Sequence, residues 1–150
     1  MSEVDRMLDE LVMAYQGPAW HGPSVREVLD GIDAATAARR PIADAHTIAE
    51  IVEHVAAWED IVRRRIGGEK VEVTDEMDWP RAGAGAEGWA RTLERLDRGH
   101  HALRDAVRAF PETRLDEVSS DGRSTHYVLI HGAIQHDLYH AGQIAILRKG

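Results

Sequence analysis

Ser124-Thr-His-Tyr-Val-Leu-Ile-His-Gly-Ala-Ile-Gln-His-Asp-Leu-Tyr-His-Ala-Gly-Gln-Ile-Ala-Ile-Leu-Arg148 runs without a proline, and its apolar residues recur at helical spacing. This predicts one long helix. One of its faces carries Leu129, Ala133, His136, His140, Gln143 and Leu147; a second carries Ile130, Ile134, Leu138, Ala141 and Ala145. A helix that is apolar most of the way round is buried on both sides. The second stripe therefore predicts either a homodimer interface or a cover supplied by a short helix or crossover of the same chain.

Three further long helices read outward from this one. The N-terminal segment places Val4, Met7, Leu8, Leu11, Val12 and Tyr15 at i, i+3, i+4 spacing, and Gly17-Pro18 ends it. After the turn Ala19-Trp-His-Gly-Pro-Ser24, Val25 to Ile32 reads as a short helix opened by Pro23, followed by a loop through Arg40-Pro41. A second long helix is expected from Ala45 to Ile66, capped by Asp44 and stopped by Gly67-Gly68, with Ile48, Ile51, Val52, Val55, Trp58, Val62 and Ile66 as its stripe. Residues 69–85 read as an irregular crossover, in which Val71-Glu-Val73 is too short to establish a strand. The third long helix is expected from Glu87 to Phe110, on the stripe Trp89, Leu93, Leu96, His100, Leu103, Val107 and Phe110, with a polar loop from Pro111 to Arg123. The expectation is all-α: a single domain over residues 1–150, folded as a four-helix bundle with a long crossover between helices 2 and 3.

Composition narrows the chemistry. A formal net charge of −8 argues against a general nucleic-acid or anionic-membrane surface. With no cysteine, disulfides, iron–sulfur clusters, thiolate zinc sites and a cysteine nucleophile are excluded. No run approaches the roughly 18 apolar residues of a membrane span, and the acidic opening Met-Ser-Glu-Val-Asp lacks the apolar core of a secretion signal. The expected location is cytoplasmic. One Phe, three Tyr and four Trp leave a core that is mostly aliphatic, as suits packed helices.

The nine histidines carry the chemistry. On a helix His136 and His140 lie about 40° apart, one turn from each other, so two neutral imidazoles can chelate one divalent cation. His54 borders the apolar stripe of the second helix, about 15 Å along its axis from Asp44. Packed side by side, the two helices can bring all three rings to one level, leaving a fourth position open, the pattern of a catalytic metal site. His131, about 140° from His136, cannot share that ion. His46 reads as a solvated or capping residue, and His101 and His126 as surface or helix-end residues. His100, in the middle of the third stripe, is either a ligand or a polar residue hydrogen-bonded in the core. His21 sits in a turn that could fold over the bundle mouth. Gln143 could orient a ligand or hydrogen-bond a histidine. Asp137 and Glu59 either fix ring tautomers or lie solvated on the surface.

Two segments carry a family resemblance that covers essentially the whole chain: His46-Thr-Ile-Ala-Glu-Ile-Val-Glu-His54 with Trp58-Glu59, and His131-Gly-Ala-Ile-Gln-His136-Asp-Leu-Tyr-His140-Ala-Gly-Gln-Ile144. The sequence resembles the DinB-like (DinB/YfiT) superfamily of metal-binding four-helix proteins; Trp20-His-Gly-Pro-Ser24 resembles a turn of one branch. The resemblance implies one divalent metal, zinc or nickel, held by His54, His136 and His140, and frequent homodimers. It further implies a metal-dependent enzyme of the thiol-dependent transferase type, with a bacillithiol- or mycothiol-like thiol and a small-molecule electrophile as substrates. The alternatives are hydrolysis by metal-activated water, or a non-enzymatic metal-binding dimer. His100 lies outside the family pattern.

Overall fold

In the computed structural model, which describes residues 1–150, the chain is all-helical: α1 (Glu3–Gln16), α2 (Val25–Leu29), α3 (Ala34–Ala38), α4 (Ile48–Ile66), α5 (Asp75–Asp78), α6 (Gly85–Arg108) and α7 (His126–Leu147), with a 3-10 turn at Glu112–Arg114. The four expected long helices are α1, α4, α6 and α7. α4 packs against both α6 and α7, and α1 packs against the same two from the other side. No helix is long and apolar enough to cross a membrane.

Local chemistry sets the helix ends. α1 stops where Gly17 adopts φ 83° and its N–H returns to the carbonyl of Met13. A side chain at Gly17 would be strained there, and its Cβ would lie 2.8 Å from Glu27 Oε2. α4 starts three residues later than expected. Thr47, not Asp44, is its cap, because the Thr47 hydroxyl accepts from Glu50 N while the Glu50 carboxylate accepts from Thr47 N. This reciprocal pair satisfies two donors that Asp44 could not reach together. Ser24 and Glu27 open α2 in the same way, so that helix begins after Pro23 and ends at Leu29 rather than Ile32. The expected loops at 33–40 and 69–85 each contain a single-turn helix, α3 capped by Asp33 and α5 capped by Thr74. α6 runs from Gly85 to Arg108, two residues earlier at both ends than its stripe suggested.

The second apolar stripe of the last helix is covered within the chain. Ile130 and Ile134 pack with Val4, Met7 and Leu11 of α1, and Ala141 packs with Val25, Val28 and Leu29 of α2. That stripe therefore does not by itself call for a second copy. The core is split in two. Val52, Val55, Leu96, Ala141 and Ile144 belong to one apolar cluster, and Val62, Leu103, Val107, Ile130 and Ile134 to the other. On α4, α6 and α7 the residues between the clusters include Glu59, His100 and Asp137, all buried. A polar layer thus divides the hydrophobic interior.

Candidate metal centre

His54 of α4 meets His136 and His140 of α7. His136 Nε2 lies 3.0 Å from His54 Nε2 and 3.1 Å from His140 Nε2. The second nitrogens of two rings are already committed. His54 Nδ1–H donates to the carbonyl of Asp78 at 2.5 Å, and His140 Nδ1–H donates to Gln143 Oε1 at 2.6 Å. Those bonds fix the tautomers, so the Nε2 atoms of His54 and His140 present lone pairs. Both lone pairs aim at His136 Nε2, which carries at most one hydrogen, so no set of neutral hydrogen bonds satisfies the three rings. A cation does. Nitrogens about 2.05 Å from a tetrahedral ion are about 3.3 Å apart, close to the spacing seen.

Electrostatics keep the rings neutral and able to ligate. Burial lowers the pKa of His54, although the backbone and carboxylate of Asp78 oppose it. Burial, reinforced by the other two rings, brings His136 down to about 3. Burial also lowers His140, against the Gln143 hydrogen bond.

The crossover completes the site, and this was missed in the sequence. Trp79 stacks on His54 (centroids 3.9 Å, 8° between planes) and on His46 (3.5 Å, 9°), making a three-ring pile at the end of α5. Trp58 Nε1–H donates to Asp78 Oδ1 at 2.7 Å, which ties the crossover to α4. The available signal was Asp78-Trp-Pro80, a large aromatic beside proline in an otherwise polar segment. A cleft of about 410 Å³ opens on His54 and His136. A second, of about 360 Å³, opens on His140, with Trp79, Tyr139 and Gln143 in its wall. Arg65 lines the first cleft, lies 3.7 Å from Asp121 and donates to the carbonyl of Val71.

Gln143 makes the expected bond to a histidine. Glu59 and Asp137 are neither solvated nor bonded to the three rings. Both are buried and meet His100 instead, one donor atom of each of the three lying within 4.8 Å of the others. His100 Nδ1 and Glu59 Oε1 share a hydrogen bond of 2.8 Å, and the Tyr15 ring stacks on His100 at 3.7 Å. Burial, with Arg104 nearby, lowers His100 to about 3. Burial raises the pKa of both carboxyls, and the charge of Asp137 pushes Glu59 further up. His21 is exposed and lines neither cleft at the three rings, so it does not close over the site. His126 is at a helix end as expected but buried, against Phe110 at 4.8 Å. His131 faces Glu10 of α1, away from the triad.

The family model described as DinB superfamily matches residues 20–144. The chain belongs to the DinB superfamily. The resemblance seen in the sequence is therefore borne out over most of the chain, and the DinB assignment agrees with the all-helical architecture. DinB proteins bind metals, and this chain has buried histidine and carboxylate groups able to hold one. No curated protein and no solved structure matched the chain.

Proposed function

We propose that this DinB protein holds one divalent cation, zinc or nickel, between His54, His136 and His140 at the centre of a four-helix bundle whose α4–α6 crossover closes the site. We propose further that it uses the cation to transfer a low-molecular-weight thiol to a small electrophile. The observation that carries the metal reading is the convergence of the three Nε2 atoms at 3.0 and 3.1 Å, with two rings locked as acceptors. All-imidazole donation suits zinc and nickel. When bound, the cation lowers the pKa of a thiol or water at the open position and supplies a nucleophile near neutral pH.

The chain's own residues do the rest. Asp78 and Gln143 hold the outer two rings through their Nδ1 atoms, and Trp79 covers the face of His54. Trp58, Val62, Val128 and Leu129 give the cleft an apolar wall that would seat the carbon skeleton of an electrophile. Arg65, whose buried Nε–H has no partner, offers a donor for an acidic or carbonyl group of the bound molecule. With no cysteine in the chain, the thiol would come from outside.

Hydrolysis is the second reading, favoured by one feature: Asp78 and Asp121 line the same cleft and offer carboxylates for a water-activating role. A panel of small thiols with an electrophilic dye, run beside ester and amide substrates on zinc- or nickel-loaded protein, separates the two. Thiol-dependent turnover that vanishes in His140→Ala supports transfer. Turnover without thiol moves the assignment to hydrolysis. No metal-dependent turnover at all would leave a metal-binding protein without catalysis.

A further inference from the structure

The polar layer between the two apolar clusters has a composition that plain structural packing does not explain. Glu59, His100 and Asp137 are 1%, 0% and 0% exposed. They come from α4, α6 and α7, so three separate long helices each turn an ionisable side chain into one spot. His100 hydrogen-bonds Glu59, and the Glu59 and Asp137 carboxyls face each other within hydrogen-bond reach. With both carboxyls deprotonated, Glu59 Oε2, His100 Nε2 and both Asp137 oxygens are buried with no partner. The one ion-pair contact of Glu59 is with His100, and Asp137 has none. A buried carboxylate left charged and unpaired is strongly unfavourable, so something compensates.

We propose that Glu59, His100 and Asp137 form a second divalent-cation site, fully buried and distinct from the histidine triad. The donor atoms already stand within 4.8 Å of one another, a separation that one ion can bridge. A divalent cation binding there would displace the protons that burial favours on the carboxyls, and the two carboxylates so formed would neutralise it. One imidazole nitrogen with carboxylate oxygens is a donor set for manganese, iron, cobalt or zinc, harder than the all-imidazole triad. A single proton shared between the carboxyls is the competing arrangement. It satisfies one oxygen on each and leaves the second oxygen of Asp137 and His100 Nε2 without partners. A cation takes donors from all three residues together. The position of these residues, one on each of three helices and between the two halves of the core, makes such an ion a tie across the bundle and not a reaction centre. Its stacked neighbour Tyr15, on α1, closes the remaining side.

The test uses the full chain, stripped with chelator, refilled with excess Co2+, desalted, and counted by mass spectrometry of the metal. Two equivalents per chain are expected, falling to one in Glu59→Gln and in His100→Gln. His54→Ala should also fall to one, by losing the other ion. A wild-type count of one that Glu59→Gln leaves unchanged and His54→Ala abolishes would overturn the buried site while keeping the triad. A count of one that His54→Ala keeps and Glu59→Gln abolishes would do the reverse, sinking the triad and supporting the buried site. Anomalous diffraction at the cobalt edge from wild-type crystals decides independently of how the variants fold. A peak among Glu59, His100 and Asp137 supports the inference, and its absence from a map with density at the triad refutes it.

Discussion

His54 Nε2 and His136 Nε2, 82 residues apart in the chain, lie 3.0 Å from each other across the α4–α7 interface. On the His54 side the contact is a lone pair, because its Nδ1–H is spent on the Asp78 carbonyl. A hydrogen on His136 Nε2 can satisfy that lone pair or the one on His140 Nε2, but not both.

The first consequence is metal-dependent stability. Zinc at about 100 times its dissociation constant should stabilise the wild-type chain by about 2.7 kcal/mol, since it binds the folded state alone. Thermal unfolding with and without zinc measures this. His54→Ala and His140→Ala should each lose the share of the gain that the histidine triad contributes. An undiminished zinc shift in both would place the ion elsewhere.

Gln143 acts on the metal through His140. Its side-chain carbonyl takes the Nδ1–H and so holds the Nε2 lone pair toward the other two rings. Gln143→Leu should weaken metal affinity roughly 10- to 100-fold, the usual effect of removing the partner that orients a ligand, with little change in the helical circular dichroism. Competition against a chelating dye gives the affinity. An unchanged value would show that packing alone orients the ring.

His126 provides a pH signature away from the triad. Burial first, then Arg114, lowers its pKa below 6.5, while Glu117 and Asp121 pull the other way. As pH falls past 6.5 the unfolded chain takes the proton first. The stability tied to the neutral buried ring is therefore present above pH 6.5 and lost as pH falls toward the folded-state value. His126→Leu removes this dependence, so the stability of wild type relative to the variant should decline from pH 8 to pH 5 in urea melts. Parallel curves would mean that the ring titrates alike in both states.

The cap of α4 sets where His54 stands. Thr47→Ala removes the hydroxyl that accepts from Glu50 N and should cost about 1 kcal/mol. Asp44→Ala should cost much less, because Asp44 is not the cap. Equal losses in the two variants would restore Asp44 to the capping role.

The sequence by itself determined the long helices and their inward faces, because hydrophobic periodicity depends only on residue order and the 3.6-residue turn. That was enough to put His54, His136 and His140 on inward faces and to separate His131 from them. It also marked His100 as a polar residue inside an apolar stripe. Axial level was a different matter. The sequence placed His54 by counting from Asp44, but α4 begins after Thr47, and only the packing of α4 on α7 brings the rings level. Tertiary structure alone decided that Glu59 and Asp137 turn inward toward His100, since the same residues on an unpacked helix would be ordinary solvated charges. It also decided that α1 and α2 cover the second stripe of α7 and that Trp79 swings from the crossover onto His54. Contacts between segments far apart in the chain leave no periodic mark in either segment, so they emerge only once the helices are packed.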